Sequence, residues 1–345
     1  MNFTLNGKLC RTLDDVRGCA SEKVADFVEE YLNDAEYVVA HTSGSTGVPK
    51  EIRLPKSDMQ ASARLTNEFF KLNDASLLYL CLSPDYIAGK MMIVRAIETG
   101  ARLIEEKPSN EPLGGYDGSE HVSLLAVVPS QLGYLINHPE KLDLVDAVII
   151  GGGKLSERIE YWLADKGVNA YKTYGMTETC SHVALSPVSR NRLPYTAIGD
   201  FSFSADERGC LAITAPRFME NRIVTNDMVE LVDEHNFYWR GRYDNVINTG
   251  GLKVFPEEVE REIARLLPRA HFFVSSQPSE KWGEELVLAL EYGSLPEGVK
   301  KTGDIRPDMV EKLKKTLPPY AIPRKYIAVK KFKMTDSGKI IRDLR

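Results

Sequence analysis

The sequence predicts an α/β protein in two parts: a large N-terminal domain with parallel sheets covered by helices and a small antiparallel β region, then a small α+β C-terminal domain. Two observations carry this prediction. Short apolar runs alternate with amphipathic segments from residue 57 to residue 174, and the pattern changes again near Gly241. The length of 345 residues is sufficient for two domains.

The segment from about residue 57 predicts an amphipathic helix that is opened by a capping box of Ser57 and Gln60. Short apolar runs flanked by Gly and Pro follow it. We expect these runs to be buried strands of a parallel sheet rather than buried helix segments. The predicted strands cover residues 76–82, 122–128, 146–150 and 168–174, and the predicted helices between them cover 90–98 and 156–166.

After about residue 195, short strands broken by Asp, Asn and Gly indicate a small antiparallel region at 212–215, 228–233 and 237–240. Pro256 then opens a helix with acidic residues in its first turn, an arrangement that suits the helix dipole. Strands at 271–275, 285–291 and 325–329 and a helix at 307–316 complete the second part. We therefore expect domains over residues 1–241 and 242–345.

The composition excludes several classes of protein. Hydrophobic residues make up 43% of the chain, which is enough for a core and argues against a disordered or fibrous protein. The 44 basic and 49 acidic residues nearly balance, so the charge gives no reason to expect a nucleic-acid partner. The five cysteines form no C-x-x-C pair, and the apolar runs are too short for a membrane helix. With no secretory signal at the start, we expect a cytoplasmic protein with reduced thiols and no membrane insertion.

Residues 41–50, with the sequence His-Thr-Ser-Gly-Ser-Thr-Gly-Val-Pro-Lys, are the strongest local signal of function. Hydroxyl side chains alternate with glycines, and a lysine closes the segment. Backbone N–H groups and hydroxyls in such a loop can surround phosphate oxygens while the lysine supplies charge. The Walker A pattern is absent. A flexible surface loop is the alternative that composition alone favours.

This segment resembles the phosphate loop of the adenylate-forming superfamily, which contains the acyl- and aryl-CoA synthetases and the adenylation domains. Further motifs follow in the order typical of that superfamily. They are Y-G-M-T-E-T at 174–179, T-N-D at 225–227 with Asn in place of Gly, G-R-Y-D at 241–244, G-G-L-K at 250–253 with P-E-E-V-E at 256–260, and T-D-S-G-K at 335–339. The chain is therefore identified as a member of this superfamily.

The resemblance implies a role for each motif. Thr177 and Glu178 would act in catalysis, with Glu178 holding Mg²⁺, and Lys339 would bridge the carboxylate and the α-phosphate. Asp244 would be the hinge of a mobile C-terminal lid, and residues 250–251 would line a tunnel for CoA. The implied phosphate ligands are Thr42, Ser43, Gly44, Ser45, Thr46, Gly47 and Lys50; the adenine and ribose ligands are Gly151, Gly152, Gly153, Tyr174, Gly175, Asp227 and Arg242; the tunnel glycines are Gly250 and Gly251.

Two shorter segments narrow the resemblance. V-P-S-Q-L at 128–132 and I-I-G-G-G-K-L at 149–155 are similar to segments of the o-succinylbenzoate–CoA ligases of menaquinone biosynthesis. Enzymes of that family use Mg²⁺ and ATP to adenylate a carboxylate, release pyrophosphate, and then transfer the acyl group to CoA with release of AMP. The implied partners are small molecules, with a homo-oligomer left open.

Three alternatives stay open. The first is a free-standing aryl-acid adenylation enzyme that loads a carrier protein. The second is another short acyl-CoA synthetase, and the third is a catalytically silent relative that binds nucleotide. The intact catalytic motifs argue against a silent relative.

The acid pocket is defined least by the sequence. o-Succinylbenzoate keeps a second carboxylate after activation, and a buried carboxylate needs a partner. The candidate partners are Lys90, Ser181 and His182. Tyr86 is the nearest aromatic residue where many family members carry a histidine that gates the acyl and CoA tunnels. The phosphate loop begins at residue 41, so the N-terminal part is shorter than in most members and leaves the outer wall of the pocket undefined.

Lys339→Ala is expected to separate the two half-reactions. The lysine would supply positive charge between two anions only while the adenylate forms, so its loss removes electrostatic stabilisation from that step alone. Acyl-adenylate formation, measured by ATP–pyrophosphate exchange, should be lost, whereas thioester formation from a supplied acyl-adenylate should persist. An equal loss in both assays would contradict a lid that presents Lys339 in only one of two orientations.

Overall fold

The predicted α/β class is confirmed in a computed structural model, which describes residues 2–41, 51–268, 270–292, 302–333, 340–342 and 344. The strands are β1 (Phe3–Leu5), β2 (Lys8–Cys10), β3 (Tyr37–His41), β4 (Glu51–Pro55), β5 (Leu77–Leu80), β6 (Arg102–Glu105), β7 (Leu124–Val127), β8 (Val148–Ile150), β9 (Ala170–Gly175), β10 (His182–Pro187), β11 (Tyr195–Ala197), β12 (Ser202–Ala205), β13 (Cys210–Thr214), β14 (Arg222–Leu231), β15 (Asn236–Arg242), β16 (Ile247–Thr249), β17 (Leu252–Val254), β18 (Phe272–Ser279), β19 (Gly283–Glu291), β20 (Thr302–Asp304) and β21 (Lys325–Val329). The helices are α1 (Leu13–Arg17), α2 (Glu22–Leu32), α3 (Lys56–Phe69), α4 (Ile87–Thr99), α5 (Leu132–Asn137), α6 (Pro139–Leu142), α7 (Glu157–Asp165), α8 (Pro256–Leu266) and α9 (Pro307–Leu313).

The apolar runs of the sequence form the parallel half of one large sheet, in the spatial order β9-β8-β7-β5-β6-β1. Successive side chains point to opposite faces, so Leu78 and Leu124 join one buried cluster while Leu77 and Leu125 join another. Helices α3 and α4 cover the first face, and α5 and α7 cover the second. Both faces are therefore buried, as the unbroken apolar runs predict.

The antiparallel region is larger than predicted and continues the same sheet. β10 pairs antiparallel with β9, and β11, β15, β14, β13 and β12 follow in that order. An aromatic cluster joins the two halves: Tyr174 of β9 packs edge-on against Phe237 of β15, with 5.0 Å between ring centroids, and Phe203 of β12 contacts the same Phe237 ring. The predicted small antiparallel region thus contributes six of the thirteen strands that the structure describes in the main sheet.

Residues 2–36 close the opposite edge of this sheet, and the sequence analysis did not predict their elements. β1 pairs parallel with β6, and the tight turn into β2 has positive φ at Asn6 and Gly7. Thr12 caps α1 through a reciprocal box with Asp15. Helix α2 then packs its buried face, including Phe27, into the core that α3 and α4 share.

A second, smaller core follows the large sheet. The strands β16 to β21 form its sheet, and α8 buries Val259 and Ile263 in the same cluster as Leu288 of β19. The large sheet ends with β15 at Arg242, and the smaller sheet begins with β16 at Ile247. We propose that the two cores are the two domains, 1–241 and 242–345, whose predicted boundary lies one residue before the end of β15.

Polar contacts link α8 to the large sheet. Arg240 of β15 donates two hydrogen bonds of 2.7 and 2.8 Å to Glu258, and Arg265 donates two of 2.9 and 3.0 Å to Glu157 of α7. Gly241 lies against the side chain of Glu257, whose carboxylate would have to move if residue 241 carried a Cβ. A polar contact of this kind separates more readily than an apolar one, which suits a movable small domain.

The predicted capping box at Ser57 and Gln60 is wrong. Helix α3 begins at Lys56, its N-cap position is Pro55, and no side chain caps it. Pro55 ends β4 directly before the helix, so Ser57 lies inside the first turn, where its hydroxyl donates to Asp58. Of the helices that the structure describes, none combines the length and hydropathy needed to cross a membrane.

Ile263→Val and Ile93→Val are a matched pair that tests whether the two cores unfold separately. Ile263 lies in α8 and Ile93 lies in α4, and both side chains are fully buried. Loss of one buried methyl group costs about 1 kcal/mol of local stability. We expect hydrogen-exchange protection to fall only in the smaller core for Ile263→Val and only in the large sheet for Ile93→Val. A fall of equal size in both cores would show one cooperative unit.

Candidate active site

Four of the segments singled out by the sequence lie at the carboxyl ends of the parallel strands. The segment at Ser83–Gly89 follows β5, residues 128–131 follow β7, residues 151–153 follow β8, and residues 176–181 follow β9. These strands are neighbours and run in the same direction, so their carboxyl ends meet at one edge. Open α/β sheets bind ligands at this edge.

The structure constrains the three glycines after β8 to different degrees. A Cβ at Gly151 would lie 2.7 Å from the Thr173 hydroxyl oxygen, and Gly152 has φ +78°, a conformation that side chains disfavour. Gly153 would meet only Pro129 at an ordinary 3.6 Å. Gly152 and Gly153 are exposed, so their backbone is open to a flat ligand.

The buried side chain of Gln131, in the V-P-S-Q-L segment, forms hydrogen bonds to three segments at this edge of the sheet. It is 2% exposed, its oxygen accepts from the Val128 N–H at 3.1 Å, and its amide donates to the carbonyls of Cys81 and Ser109 at 3.2 and 2.8 Å. These bonds tie the ends of β5 and β7 to the loop that carries Ser109. The role of this residue is therefore to support the site rather than to contact a ligand.

The predicted ribose ligand, Asp227, sits at the centre of a buried polar cluster. Tyr174 donates its hydroxyl to Asp227 Oδ2 at 2.8 Å, and Trp239 donates its indole N–H to Oδ1 at 3.1 Å. Burial and the adjacent carboxylate hold the pKa of Tyr174 well above 10, so its hydroxyl remains a donor. Each carboxylate oxygen keeps a lone pair for a second donor.

Arg242 links this cluster to the predicted hinge residue. It lies opposite Asp227 in the β14–β15 ladder, with 3.8 Å between Arg242 Nη1 and Asp227 Oδ1. Its Nη2 donates to Asp244 at 3.2 Å, and Asp244 is exposed. The structure thus brings the predicted nucleotide ligands Tyr174, Asp227 and Arg242 into one cluster with Asp244 at its rim.

A short turn after β9 presents the predicted catalytic pair. Thr177–Thr179 is a 3-10 turn in which Glu178 is exposed and Thr179 is buried. Cys180 then has φ +58° and ψ −40°, and the Ser181 N–H donates to the Thr179 carbonyl at 2.6 Å, so residues 179–181 form a strained γ-turn. This reversal leads into β10 and directs Ser181 and His182 inwards, while Gly175 lies against them: a Cβ there would be 2.2 Å from the Ser181 carbonyl oxygen.

Arg95 of α4, which the sequence analysis missed, lies against this reversal. Its side chain is 1% exposed, its Nη2 donates to the Ser181 hydroxyl at 2.5 Å, and its Nη1 approaches the Met92 sulfur at 3.5 Å. Within the described residues, no carboxylate pairs with it and its Nε has no partner. Burial lowers the pKa of this guanidinium to about 9, so it stays charged at neutral pH.

His182 is buried on the other side of Ser181. Its Nδ1 lies 3.4 Å from the Ser181 hydroxyl, and its Nε2 lies 3.2 Å from the hydroxyl of Thr66 on α3. Burial first, and then the neighbouring positive charge of Arg95, hold the pKa of His182 well below 6.5. The imidazole is therefore neutral at physiological pH.

The other acid-pocket candidates are placed differently. Lys90 is 8% exposed, its ammonium lies 3.6 Å from Glu30 and 4.5 Å from the centre of the Phe27 ring, and burial lowers its pKa. It already has an anionic partner on α2. Tyr86 precedes α4 and is half exposed.

Gly250 and Gly251 form the two-residue turn between β16 and β17, with φ +57° and +79°. Two successive positive φ values are what a tight hairpin turn requires, so this local geometry accounts for both glycines. A Cβ on Gly250 would also lie 2.9 Å from the Trp282 ring. Their predicted place in a CoA tunnel stays a prediction.

Eight predicted ligands lie outside the described residues. They are Thr42, Ser43, Gly44, Ser45, Thr46, Gly47, Lys50 and Lys339. The flanking strands β3 and β4 are described, and they pair antiparallel with His41 opposite Glu51.

Three side chains of the site escaped the sequence analysis: Arg95, Thr66 and Trp239. Only Arg95 leaves a signal in the sequence, because it is a single charge inside the apolar run Met91-Met92-Ile93-Val94-Arg95-Ala96. Thr66 and Trp239 lie in segments of ordinary amphipathic pattern. Their contacts to His182 and Asp227 bridge 116 and 12 positions of the chain, and no local pattern reports them.

Comparisons with known proteins show the family to which the chain belongs. The family model of AMP-binding enzymes matches residues 12–224. A 2-succinylbenzoate–CoA ligase from Listeria monocytogenes is 25% identical over 335 residues, which cover 88% of this chain and 68% of that protein. The 2-succinylbenzoate–CoA ligase of Bacillus subtilis is 24% identical over 364 positions, covering 96% of this chain and 72% of that protein.

Solved structures show the same relationship. An acyl-CoA synthetase (AMP-forming)/AMP-acid ligase II-like protein from Dyadobacter fermentans is 32% identical, with a TM-score of 0.61, and the match covers 93% of this chain and 91% of that one. The o-succinylbenzoate coenzyme A synthetase of Bacillus subtilis in complex with ATP and magnesium has a TM-score of 0.76 at 19% identity, covering 89% and 69%. The latter likeness is one of fold.

Tyr174→Phe is expected to weaken nucleotide binding by about tenfold, because a hydrogen bond to a charged group contributes about 1.5 kcal/mol and holds Asp227 in place. Titration calorimetry with AMP measures the change. Tyr195→Phe is the matched control, since its ring also packs against Phe237 but belongs to no nucleotide-binding motif. Equal losses in both variants would assign the effect to ring packing instead of the Asp227 contact.

Proposed function

Since the chain belongs to the family of AMP-binding enzymes and is an AMP-forming acid–CoA ligase, we propose that its acid substrate is o-succinylbenzoate. In the first half-reaction, the acid carboxylate attacks the α-phosphate of ATP, and pyrophosphate leaves. In the second, the CoA thiol attacks the acyl-adenylate, a thioester forms, and AMP leaves. The product belongs to menaquinone biosynthesis.

Positioning and charge stabilisation carry the adenylation step, as in other phosphoryl chemistry without an enzyme nucleophile. Asp227, held by Tyr174 and Trp239, accepts the ribose hydroxyls with its remaining lone pairs. Arg242 lies beside it and adds positive charge near the nucleotide. We assign phosphate binding to residues 42–50 because their sequence resembles the phosphate loop of the superfamily.

The residues present fit a magnesium ion bound with the nucleotide. Mg²⁺ in such sites takes one or two protein carboxylates and completes its shell with phosphate oxygens and water. Glu178 is exposed at the tip of its turn, and within the described residues no cluster of three metal-binding side chains competes with it. Glu178 would hold the ion, which neutralises phosphate charge when bound.

The observation that carries the substrate assignment is Arg95. A fully buried guanidinium without a carboxylate is costly, because its desolvation is not offset by a counter-charge. An acid with a second carboxylate supplies that counter-charge, and a planar guanidinium binds a carboxylate through two parallel N–H groups. o-Succinylbenzoate has this second carboxylate, whereas a simple aryl or alkyl acid does not.

Arg95 is a better partner than Lys90 for this carboxylate. The ammonium of Lys90 already faces Glu30 and the Phe27 ring. Ser181 and His182 stay in the proposal as neighbours of Arg95, and both lie directly after the turn that carries Glu178.

Movement of the smaller domain connects the two half-reactions. We assign Lys339 to the adenylation step and Asp244 to the hinge, so that rotation withdraws the lysine and admits CoA past residues 250–251. The polar contact between α8 and the large sheet supports a domain that changes its orientation.

Arg95→Met is expected to raise KM for o-succinylbenzoate by at least about tenfold, because a charge-assisted hydrogen bond contributes about 1.5–3 kcal/mol. KM for 4-oxo-4-phenylbutanoate, which lacks the ring carboxylate, should change far less. ATP–pyrophosphate exchange measures both, and release of CoA thioester instead of carrier loading separates the ligase from an aryl-acid adenylation enzyme.

Arg64→Lys is the matched control for this experiment. Arg64 lies on α3 and pairs with Glu98 of α4 at the surface, so its replacement leaves the acid pocket unchanged. If Arg95→Met raises both KM values equally, or if Lys90→Met alone raises KM for the dicarboxylate, Arg95 is not the partner of the second carboxylate.

A further inference from the structure

The side chains of Ser181, His182 and Thr66 connect the buried guanidinium of Arg95 to helix α3. Arg95 Nη2 lies 2.5 Å from Ser181 Oγ, Ser181 Oγ lies 3.4 Å from His182 Nδ1, and His182 Nε2 lies 3.2 Å from Thr66 Oγ1. The Thr66 hydroxyl also lies 3.2 Å from the backbone carbonyl of Ser62. All of these side chains except Ser181 are buried, so water does not compete for their protons.

In this series of hydrogen bonds, the identity of each donor follows from the bond between Thr66 and the Ser62 carbonyl. Thr66 has a single hydroxyl proton, and the Ser62 carbonyl can only accept, so that proton is used in the bond to Ser62. Thr66 Oγ1 must then accept from His182, which places the imidazole proton on Nε2. Because the imidazole is neutral, His182 Nδ1 is an acceptor.

The remaining bonds follow from this tautomer. Ser181 donates its hydroxyl proton to His182 Nδ1 and accepts from the guanidinium of Arg95. The opposite direction would put a proton on Nδ1 and leave the Ser181 hydroxyl proton without an acceptor inside this chain of bonds. An unpaired buried donor is costly, so the first arrangement is favoured.

We propose that His182 and Thr66 are positioning residues, which turn the Ser181 hydroxyl into an acceptor for Arg95 and so hold the guanidinium ready for a substrate carboxylate. With Nη2 fixed by Ser181, the buried Nε–H of Arg95 is left without a partner among the described residues, and an anion that reaches it would satisfy this donor. The inference rests on the proposed function for the identity of the acid. The neutral tautomer of His182 is then a determinant of specificity for acids with a second carboxylate.

The tautomer itself is measurable without substrate. Two-bond ¹⁵N–¹H correlation spectra of the full-length protein, with His182→Asn used to assign the signals, should show His182 with a protonated Nε2 and an unprotonated Nδ1. A proton on Nδ1, or a doubly protonated ring at pH 7, overturns the inference whatever the substrate proves to be.

Thr66→Val tests the effect on the substrate, since valine has nearly the same volume and removes the hydroxyl that accepts the His182 proton and donates to the Ser62 carbonyl. KM for o-succinylbenzoate should rise about fivefold while kcat changes by less than about twofold, and KM for 4-oxo-4-phenylbutanoate should stay constant. Thr66→Ser should restore the wild-type value, because it keeps the hydroxyl. Ser62→Ala is the control: this buried hydroxyl on the same helix has no partner within the described residues, so its loss should change neither KM.

The outcomes separate this inference from the proposed function. If the wild type does not turn over o-succinylbenzoate, the proposed function fails, while the tautomer still decides whether the hydrogen-bond chain exists. If the wild type is active but Thr66→Val leaves the ratio of the two KM values unchanged, or Thr66→Ser does not restore it, the positioning role is wrong. Unfolding temperatures of the variants exclude a loss of fold.

Discussion

The antiparallel pairing of β10 with β9 is the constraint on which the rest of the site depends. A parallel continuation needs a long crossover, whereas an antiparallel partner is reached by a tight turn, and here the reversal at residues 176–181 includes a strained γ-turn at Cys180. Glu178 is therefore exposed at the tip, and Ser181 and His182 are turned into the core beside Arg95. The same reversal places β14 and β15 in one sheet with β9, so that Tyr174 meets Asp227.

Two buried polar clusters with different electrostatics lie on either side of this reversal. Around Asp227, an anion is satisfied by two neutral donors and retains capacity for the hydroxyls of a nucleotide. Around Arg95, a cation is contacted by a hydroxyl and a thioether only, within the described residues, and lacks a counter-charge. The first cluster is nearly complete without a ligand, whereas the second is completed by an anion. This difference supports the proposal of a nucleotide site that the family shares and an acid site that is selective for substrates with a second carboxylate.

Much of the fold was predictable, and the failures have physical causes. The strands around residues 77, 124 and 148 were predicted because each is buried on both faces, and a fully apolar run records that burial. β1, β2 and β10–β12 were missed because each mixes apolar residues with Ser, Thr, Lys or His and so shows no unbroken apolar run. The predicted capping box is wrong because β4 ends at Pro55 and α3 begins at the next residue, so no loop residue lies between them to cap the helix.

The sequence by itself determined the family and the order of its motifs, because the motif residues stand in short segments that are recognised without knowledge of the fold. It also placed the change between the two cores near Gly241. Only the tertiary structure decided how the two buried cations of α4 are paired: Lys90 lies beside Glu30 of α2, whereas Arg95 lies beside Ser181 and, within the described residues, has no carboxylate. Charge compensation depends on distances between helices and strands that are remote in sequence, so no local pattern contains it.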